Sequence, residues 1–165
     1  MKANPQKELY GLIGYPVKHS FSAFMHNAAF AHYKMNAQYQ LFEVSPEELD
    51  EFFKKTIIEI GIKGFNVTVP HKERAVEFLS GEKDPLVNTI GAVNTIRVEP
   101  NGFLSGFNTD AGGFLRDLEE QGAILANKNV SLLGAGGGAK AVAFAIMNQL
   151  PKKLSILYCV SIGVL

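Results

Sequence analysis

The chain has few of the features that mark secreted, membrane or nucleic-acid-binding proteins. Its one cysteine, Cys159, cannot form an internal disulfide and fits a reducing compartment. Sixteen basic and sixteen acidic residues cancel, which argues against nucleic acid and membrane surfaces as partners. Residues 1–9 lack the apolar core of a signal peptide. The longest weakly polar run, residues 154–165, is shorter than the roughly 20 residues that span a bilayer. We therefore expect a cytoplasmic protein.

Strand and helix patterns alternate along the first half of the chain. With 165 residues, 47% of them hydrophobic, the chain can form one packed domain, or one domain and a fragment of a second. Short apolar runs typical of buried strands are followed by segments in which apolar residues recur at helical spacing. This order predicts an α/β fold with an open, mostly parallel sheet. The predicted strands are residues 9–14, 38–44 and 62–69. The first predicted helix ends near residue 33, and two further helices are predicted at residues 46–61 and 71–79.

The segment from Asn66 to Glu73 (NVTVPHKE) places polar side chains where a strand ends. Pro70 lacks a backbone donor and marks the end of the strand. Asn66, Thr68 and Lys72 should therefore cluster at the carboxyl end of a strand, where ligands bind in open α/β sheets. An amide, a hydroxyl and an ammonium group suit a polyhydroxylated anion. The alternative interpretation is a helix cap beside a surface lysine.

The next part of the sequence predicts a polar loop at residues 81–88. A hairpin of strands 93–98 and 103–107 follows, and then a helix at residues 111–121. The hairpin delivers Asp110 to the start of that helix. Asp110 can cap this helix, as Ser20 and Ser22 can cap the first one, so capping stays the alternative interpretation for all three residues. His26 and Asn27 are interpreted as helix-surface or packing residues.

A glycine-rich loop lies between a predicted strand at residues 129–133 and a predicted helix at residues 140–150. Gly134, Gly136 and Ala139 fit the G-x-G-x-x-[G/A] fingerprint in the required strand–loop–helix context. Such glycines let the backbone approach a pyrophosphate, and the helix N-terminus supplies N–H donors. The alternative is an ordinary tight turn. A dinucleotide site also needs an acidic residue or an arginine about 20 positions further on, but no Asp or Glu follows Glu120 and no Arg follows Arg116.

Taken in order, these motifs resemble the shikimate dehydrogenase family. Four of them match its pattern and the glycine loop is the fifth, over roughly residues 8–158. The four are Gly14-Tyr-Pro-Val-Lys-His-Ser20-Phe-Ser22, Asn66-Val-Thr-Val-Pro-His-Lys72, Gly91-Ala-Val-Asn94-Thr95 and Asn108-Thr109-Asp110. The family reduces 3-dehydroshikimate to shikimate with NADPH, in aromatic amino acid (chorismate) biosynthesis. The resemblance thus implies an NADP-dependent oxidoreductase with a small-molecule substrate.

The resemblance also implies roles for individual residues. Ser20 and Ser22 would bind the substrate carboxylate. Lys72 would be the catalytic acid/base, with Asp110 beside it. The ring hydroxyls would be held by Asn66, Thr68, Asn94 and Asp110, and the cofactor by the loop Gly134, Ala135, Gly136, Gly137, Gly138 and Ala139. No metal is predicted. We expect a substrate-binding domain at residues 1–112 and a partial NADP-binding Rossmann-type domain at residues 113–165.

The sequence departs from the family pattern near its end. The family usually has Asn-Arg-Thr, whose arginine holds the 2′-phosphate of NADP, where this chain has Cys159-Val160-Ser161. The change of character at Cys159 resembles a truncation or a frameshift. Shikimate dehydrogenase-like chemistry is the leading hypothesis. The alternative is a truncated, non-catalytic shikimate-binding module or a partial gene product. Quinate stays open as a substrate. The exposed C-terminal edge suggests a homo-oligomer.

Overall fold

Two separate sheets organise residues 7–158, the part of the chain that this computed structural model describes. The strands are β1 (Glu8–Gly14), β2 (Ala37–Glu43), β3 (Ile62–Val67), β4 (Thr95–Val98), β5 (Leu104–Phe107), β6 (Asn129–Leu133) and β7 (Lys153–Leu157). The α-helices are α1 (Ser22–His32), α2 (Leu49–Glu51), α3 (Ile57–Ile60), α4 (Pro85–Ile90), α5 (Asp110–Glu120) and α6 (Gly137–Met147). Cys159-Val160-Ser161, where the sequence departs from the family pattern, lie outside the described residues.

The larger sheet has the strand order β2-β1-β3-β4-β5. Strand β1 pairs in parallel with β2 and β3, while β4 is antiparallel to both β3 and β5. Four of the five strands therefore run in one direction, which confirms the predicted α/β fold with a mostly parallel sheet. Strands β6 and β7 pair in parallel and form a strand–helix–strand unit with α6.

The sheet separates two apolar layers, because successive side chains of a strand point to opposite faces. Ile13 belongs to the main core, on the side of α2, α3 and the π-helical segment Phe52–Thr56 that joins them. Its neighbour Leu12 packs with Val17 and Tyr39 in a smaller cluster on the side of α1. Within the described residues, no helix has the length and apolar character needed to cross a membrane.

The predicted loop at residues 81–88 is wrong in its second half, where the chain forms α4. The signals for this helix were in the sequence. Asp84 is its N-cap and accepts a hydrogen bond from the Leu86 N–H at 2.9 Å, and Pro85 occupies the first helical position. Gly91 ends the helix at φ +70°, a conformation that favours glycine.

The predicted helix at residues 71–79 is also wrong, because the chain forms a 3-10 helix at Arg74–Phe78. The carbonyl of Lys72 is taken by the N–H of Val93 at 2.8 Å, and the N–H of Val76 turns to the carbonyl of Glu73 instead. A bond to a neighbouring segment thus replaces the α-helical bond at this point. The upstream strand is shorter than predicted as well, since β3 ends at Val67.

The predicted capping box of the second helix is half formed. The N–H of Ser45 donates to the Glu48 carboxylate at 3.0 Å, which is one of the two bonds of a capping box. Residues 46–48 form a turn and the α-helix begins at Leu49, three residues after the predicted start. Gly61 ends this helical stretch at φ +66°, as the sequence predicts.

Candidate active site

The direction of the strands brings several polar segments to one edge of the larger sheet. Strands β1, β3 and β5 all end at this edge, and β4 begins there, since Thr95 lies opposite both Asn66 and Phe107. Asn94, Asn108 and Thr68 therefore emerge beside one another. This edge carries most of the residues that the sequence predicts as a site.

Lys72 and Asp110 form an ion pair at this edge. Lys72 Nζ lies 2.6 Å from Asp110 Oδ2, and the two side chains are 17% and 27% exposed. The pair is brought together by two different segments, the turn after β3 and the first residue of α5. Charges that are largely removed from water need such a partner. A lysine ammonium held beside a carboxylate, with part of its surface open, can donate a proton to a bound ligand.

The alternative interpretation of Asp110 as a helix cap is wrong. Thr109 occupies the N-cap position of α5 without a side-chain capping bond. The N–H of Asp110 is instead satisfied by the side chain of Asn108, whose Oδ1 accepts it at 3.1 Å. Asn108 is buried and its Nδ2 donates to the Ala92 carbonyl at 2.9 Å. The carboxylate of Asp110 is therefore free to face Lys72.

Asn94 orients the second oxygen of Asp110. Its Nδ2 donates to Asp110 Oδ1 at 2.7 Å and to Thr109 Oγ1 at 2.9 Å. Its Oδ1 accepts from the Thr109 N–H at 3.0 Å and from Thr95 Oγ1 at 3.2 Å. These four bonds use the two donors and two acceptor positions of the amide. A ligand hydroxyl at Asn94 thus has to replace one of these protein partners.

Asn66 lies at the same edge and points toward the α1 side of the sheet. Its Oδ1 accepts from the Tyr39 hydroxyl at 2.7 Å, and its Nδ2 donates to Thr95 Oγ1 at 3.1 Å and to the Asn94 carbonyl at 3.3 Å. Asn66 is therefore joined through Thr95 and Asn94 to Asp110. Burial raises the pKa of the Tyr39 phenol, so this hydroxyl keeps its proton at neutral pH.

Thr68 and the two serines stand apart from this network. The methyl group of Thr68 packs where a Cβ on Gly14 would lie, which ties the ends of β3 and β1 together. Ser20 Oγ accepts from the Ser22 N–H at 3.2 Å and donates to Ser22 Oγ at 3.0 Å. Phe21 is the N-cap of α1 and makes no side-chain capping bond. Among the described residues, no hydrogen bond joins either serine to Lys72 or Asp110.

His71 is a buried residue that the sequence reasoning did not single out. It is 2% exposed, and its Nε2 lies 2.6 Å from the Val44 carbonyl. This contact fastens the turn that carries Lys72 to the end of β2. The only signal in the sequence is the position of His71 between Pro70 and Lys72, which says nothing about a partner 27 residues away.

The glycine loop lies against the turn that carries Lys72. A Cβ on Gly137 would lie 2.9 Å from the Lys72 Cβ and 3.1 Å from the Ala92 Cβ, whereas a Cβ on Gly136 or Gly138 would meet open space. Gly134 has φ +117°, a conformation that favours glycine. Lys140 of α6 forms an ion pair with Glu73, next to Lys72. The open side of the loop thus has room for a ligand, and the other side packs on the Lys72 turn.

The fold and this cluster define an α/β protein with a candidate small-molecule site of polar side chains at the end of its strands. Residues 12–96 match the family model described as the shikimate dehydrogenase substrate binding domain. The match covers about half of the chain, and the chain belongs to the shikimate dehydrogenase family. The predicted family is therefore confirmed.

Known proteins agree with this assignment. The chain is 43% identical to the shikimate dehydrogenase (NADP(+)) of Caldanaerobacter subterraneus subsp. tengcongensis, over 90% of this chain and 52% of the relative. Shikimate dehydrogenase from Aquifex aeolicus is similar in structure with a TM-score of 0.86 at 39% identity, covering 96% of this chain and 58% of that one. A Listeria monocytogenes shikimate 5-dehydrogenase in complex with shikimate and NAD gives a TM-score of 0.79 at 34% identity, covering 96% and 54%. The chain spans about half the length of the curated relatives it matches.

Proposed function

We propose that this chain binds shikimate and 3-dehydroshikimate at the edge of its larger sheet and carries the proton-transfer pair of NADP-dependent shikimate dehydrogenase chemistry. The observation that carries the proposal is the Lys72–Asp110 ion pair at 2.6 Å, with Asn94 bonded to the other carboxylate oxygen. The pair is held by three segments that converge there. In the same proposal, residues 1–112 are the substrate-binding domain and residues 113–165 part of a Rossmann-type domain.

Lys72 acts as the general acid in the direction of reduction. The glycine loop would hold part of NADPH, which would supply the hydride that bonds to the ketone carbon of 3-dehydroshikimate. The ketone oxygen gains electron density as this bond forms, and Lys72 Nζ gives it a proton, which leaves a neutral amine and an alcohol. Asp110 holds the ammonium in place before transfer, and Asn94 keeps Asp110 from turning away. In the reverse direction the neutral amine accepts the proton.

The remaining predicted residues position the substrate. Ser20 and Ser22 offer hydroxyl donors at the start of α1, whose N-terminus favours a carboxylate. Asn66 and Thr68 face the ring hydroxyls beside Lys72. With these roles, the chain belongs to aromatic amino acid biosynthesis, a cytoplasmic process.

The glycine loop fits only part of the cofactor. Open space beside Gly136 and Gly138 and the N-terminus of α6 suit a pyrophosphate. Residues 140–165 contain no acidic side chain or arginine that could hold the ribose diol or a 2′-phosphate. We therefore expect weak cofactor binding with little discrimination between NADP and NAD.

A binding titration with a matched lysine pair tests the proposal. Calorimetry should show saturable binding of shikimate to the chain, and quinate is titrated beside it to define the substrate. In an assay of NADPH oxidation with 3-dehydroshikimate, Lys72→Ala should lower any turnover by about 10²–10⁴, and Lys72→Arg should fail too because arginine does not readily release a proton. Lys55→Ala, which changes an exposed lysine of the π-helical segment, should behave as the parent chain. Absence of shikimate binding would contradict the proposal.

A further inference from the structure

Tyr39 of β2 is buried beneath α1 and is held from several directions. It is 4% exposed. Asn27 of α1 accepts from the Tyr39 N–H and donates to the Tyr39 carbonyl, both at 2.9 Å. The His26 ring stacks on the Tyr39 ring with centroids 4.3 Å apart and planes 12° from parallel. The direction of the Tyr39 hydroxyl is therefore fixed by backbone bonds and by ring packing together.

That hydroxyl begins a continuous chain of hydrogen bonds which ends at the ion pair. Tyr39 donates to Asn66 at 2.7 Å, Asn66 to Thr95 at 3.1 Å, and Thr95 to Asn94 at 3.2 Å. Asn94 then donates to Asp110, which accepts from Lys72. In each of these bonds up to Asp110, the residue nearer Tyr39 is the donor and the residue nearer Asp110 is the acceptor.

The direction of the chain depends on the orientation of the Asn66 amide. The Nδ2 side faces the Asn94 carbonyl, which can only accept, and the Oδ1 side faces the Tyr39 hydroxyl, which supplies a donor. A flipped amide would put two oxygens against each other at Asn94 and lose the bond from Tyr39. In the observed orientation both N–H groups of Asn66 are used, and one acceptor position on Oδ1 is left.

We propose that Tyr39 is a positioning residue of the substrate site, which fixes the Asn66 amide so that it accepts a hydrogen bond from a ligand hydroxyl. This inference rests on the proposed binding of shikimate. Without the phenol, Oδ1 of the half-buried Asn66 loses its donor and the amide is held only by its Nδ2 bonds, which costs affinity for a hydroxylated ligand.

The simpler interpretation is that Tyr39 is only a core residue, and Tyr10 provides the comparison. Tyr10 packs against the same small cluster. Its hydroxyl donates to the Glu8 carboxylate at 3.1 Å in an exposed position, away from Asn66. Tyr39→Phe and Tyr10→Phe each remove one hydroxyl from a tyrosine of this cluster, and only the first removes a bond to the predicted site.

A double-mutant cycle on shikimate affinity tests the inference. Tyr39→Phe and Asn66→Ala should each weaken shikimate binding by about tenfold, and the double variant should be no weaker than Asn66→Ala alone, because Tyr39 acts through Asn66. Tyr10→Phe should stay within about twofold of the parent chain. Thermal unfolding of each variant checks that all of them are folded.

A spectroscopic measurement separates this inference from the proposed function. In the ¹⁵N-labelled chain, the side-chain amide signal that disappears in Asn66→Ala should shift in Tyr39→Phe and stay in place in Tyr10→Phe. If the parent chain does not bind shikimate, the proposed function fails while this signal still reports on the bond from Tyr39. An unchanged Asn66 signal in Tyr39→Phe, or fully additive losses of affinity, would overturn the inference.

Discussion

At the scale of single residues, neighbouring glycines of one loop have different reasons to be glycine. Gly137 is required by packing, because a Cβ there would press on Lys72 and Ala92. A Cβ on Gly138 would meet open space, so only a bound ligand could require glycine at this position. The fingerprint in the sequence cannot separate these two cases, since both residues stand in the same run of glycines.

Gly137→Ala and Gly138→Ala should therefore have opposite effects on stability. The first should lower the free energy of unfolding by about 1–3 kcal/mol, the usual cost of forcing a group into packed surroundings. The second should raise it by up to about 1 kcal/mol, since alanine is the better helix former. Urea unfolding of both variants measures the difference. Equal effects would show that α6 is not packed against the Lys72 turn.

His26 should make stability depend on pH. Burial lowers its pKa below the ordinary 6.5, so between the two values the unfolded chain binds more protons than the folded chain. Stability then rises with pH in this window, and it falls as the pH drops below about 6.5. His26→Gln should make the free energy of unfolding less steep between about pH 7 and about pH 5.

Some site residues follow from the sequence and others do not. Lys72 and Asp110 stand in motifs that point to a ligand, and the structure brings them into contact 38 residues apart. Tyr39 was missed, and Asn108 stands in a quoted motif but has no predicted role, because the importance of both depends on partners that neither residue type signals. The sequence interprets His26 and Asn27 as helix-surface or packing residues, and in the structure both pack against Tyr39.

At the scale of elements, local sequence signals predict a helix or strand correctly where no hydrogen bond from a remote segment replaces its regular bonds. The strands of the larger sheet and α5 and α6 lie within a few residues of their predicted positions. The 3-10 helix at Arg74–Phe78 was not predictable in this way, because the carbonyl of Lys72 is bonded to Val93, which is remote in sequence. Helix α4, in contrast, has a regular N-cap, but its polar surroundings favour the prediction of a loop.

The cap of α4 should be measurable. Asp84→Ala removes the acceptor of the Leu86 N–H and should lower the free energy of unfolding by about 1 kcal/mol, as for other N-caps. The loss matters because α4 places Val87 and Ile90 in two different apolar clusters. Asp117→Ala, at an exposed position in α5, is the matched control and should change stability by less than about 0.5 kcal/mol.

At the scale of the whole molecule, the two sheets are joined by helix packing. Ile90, Ala92 and Ala111 form one apolar cluster with Ala141 and Ala145 of α6. This cluster crosses the predicted domain boundary at residue 112, and the ion pair of Lys140 with Glu73 crosses it too. The sequence could not predict this contact, because alanines at helical spacing indicate a buried face without indicating what covers it. The division at residue 112 stays a prediction.

The smaller sheet leaves apolar side chains in contact with solvent. Parallel strands are usually covered on both faces, yet Leu133 is 79% exposed and Leu157 is 56% exposed. These two residues lie side by side in the register of β6 and β7. Adjacent exposed leucines on a short parallel sheet favour association with another apolar surface.

We therefore expect the 165-residue chain to self-associate through the β6–β7 sheet. Size-exclusion chromatography with light scattering should show an average mass that rises with protein concentration, and Leu133→Lys with Leu157→Lys should shift the chain toward the monomer. Phe21 and Phe24 give the control, because they are 79% and 72% exposed at the start of α1, outside the β6–β7 sheet. Phe21→Lys with Phe24→Lys should leave the association unchanged, since the added charges lie off the contact. A monomeric parent chain would show that there is no such contact. Dissociation caused by the phenylalanine pair instead would show that the contact lies at the start of α1.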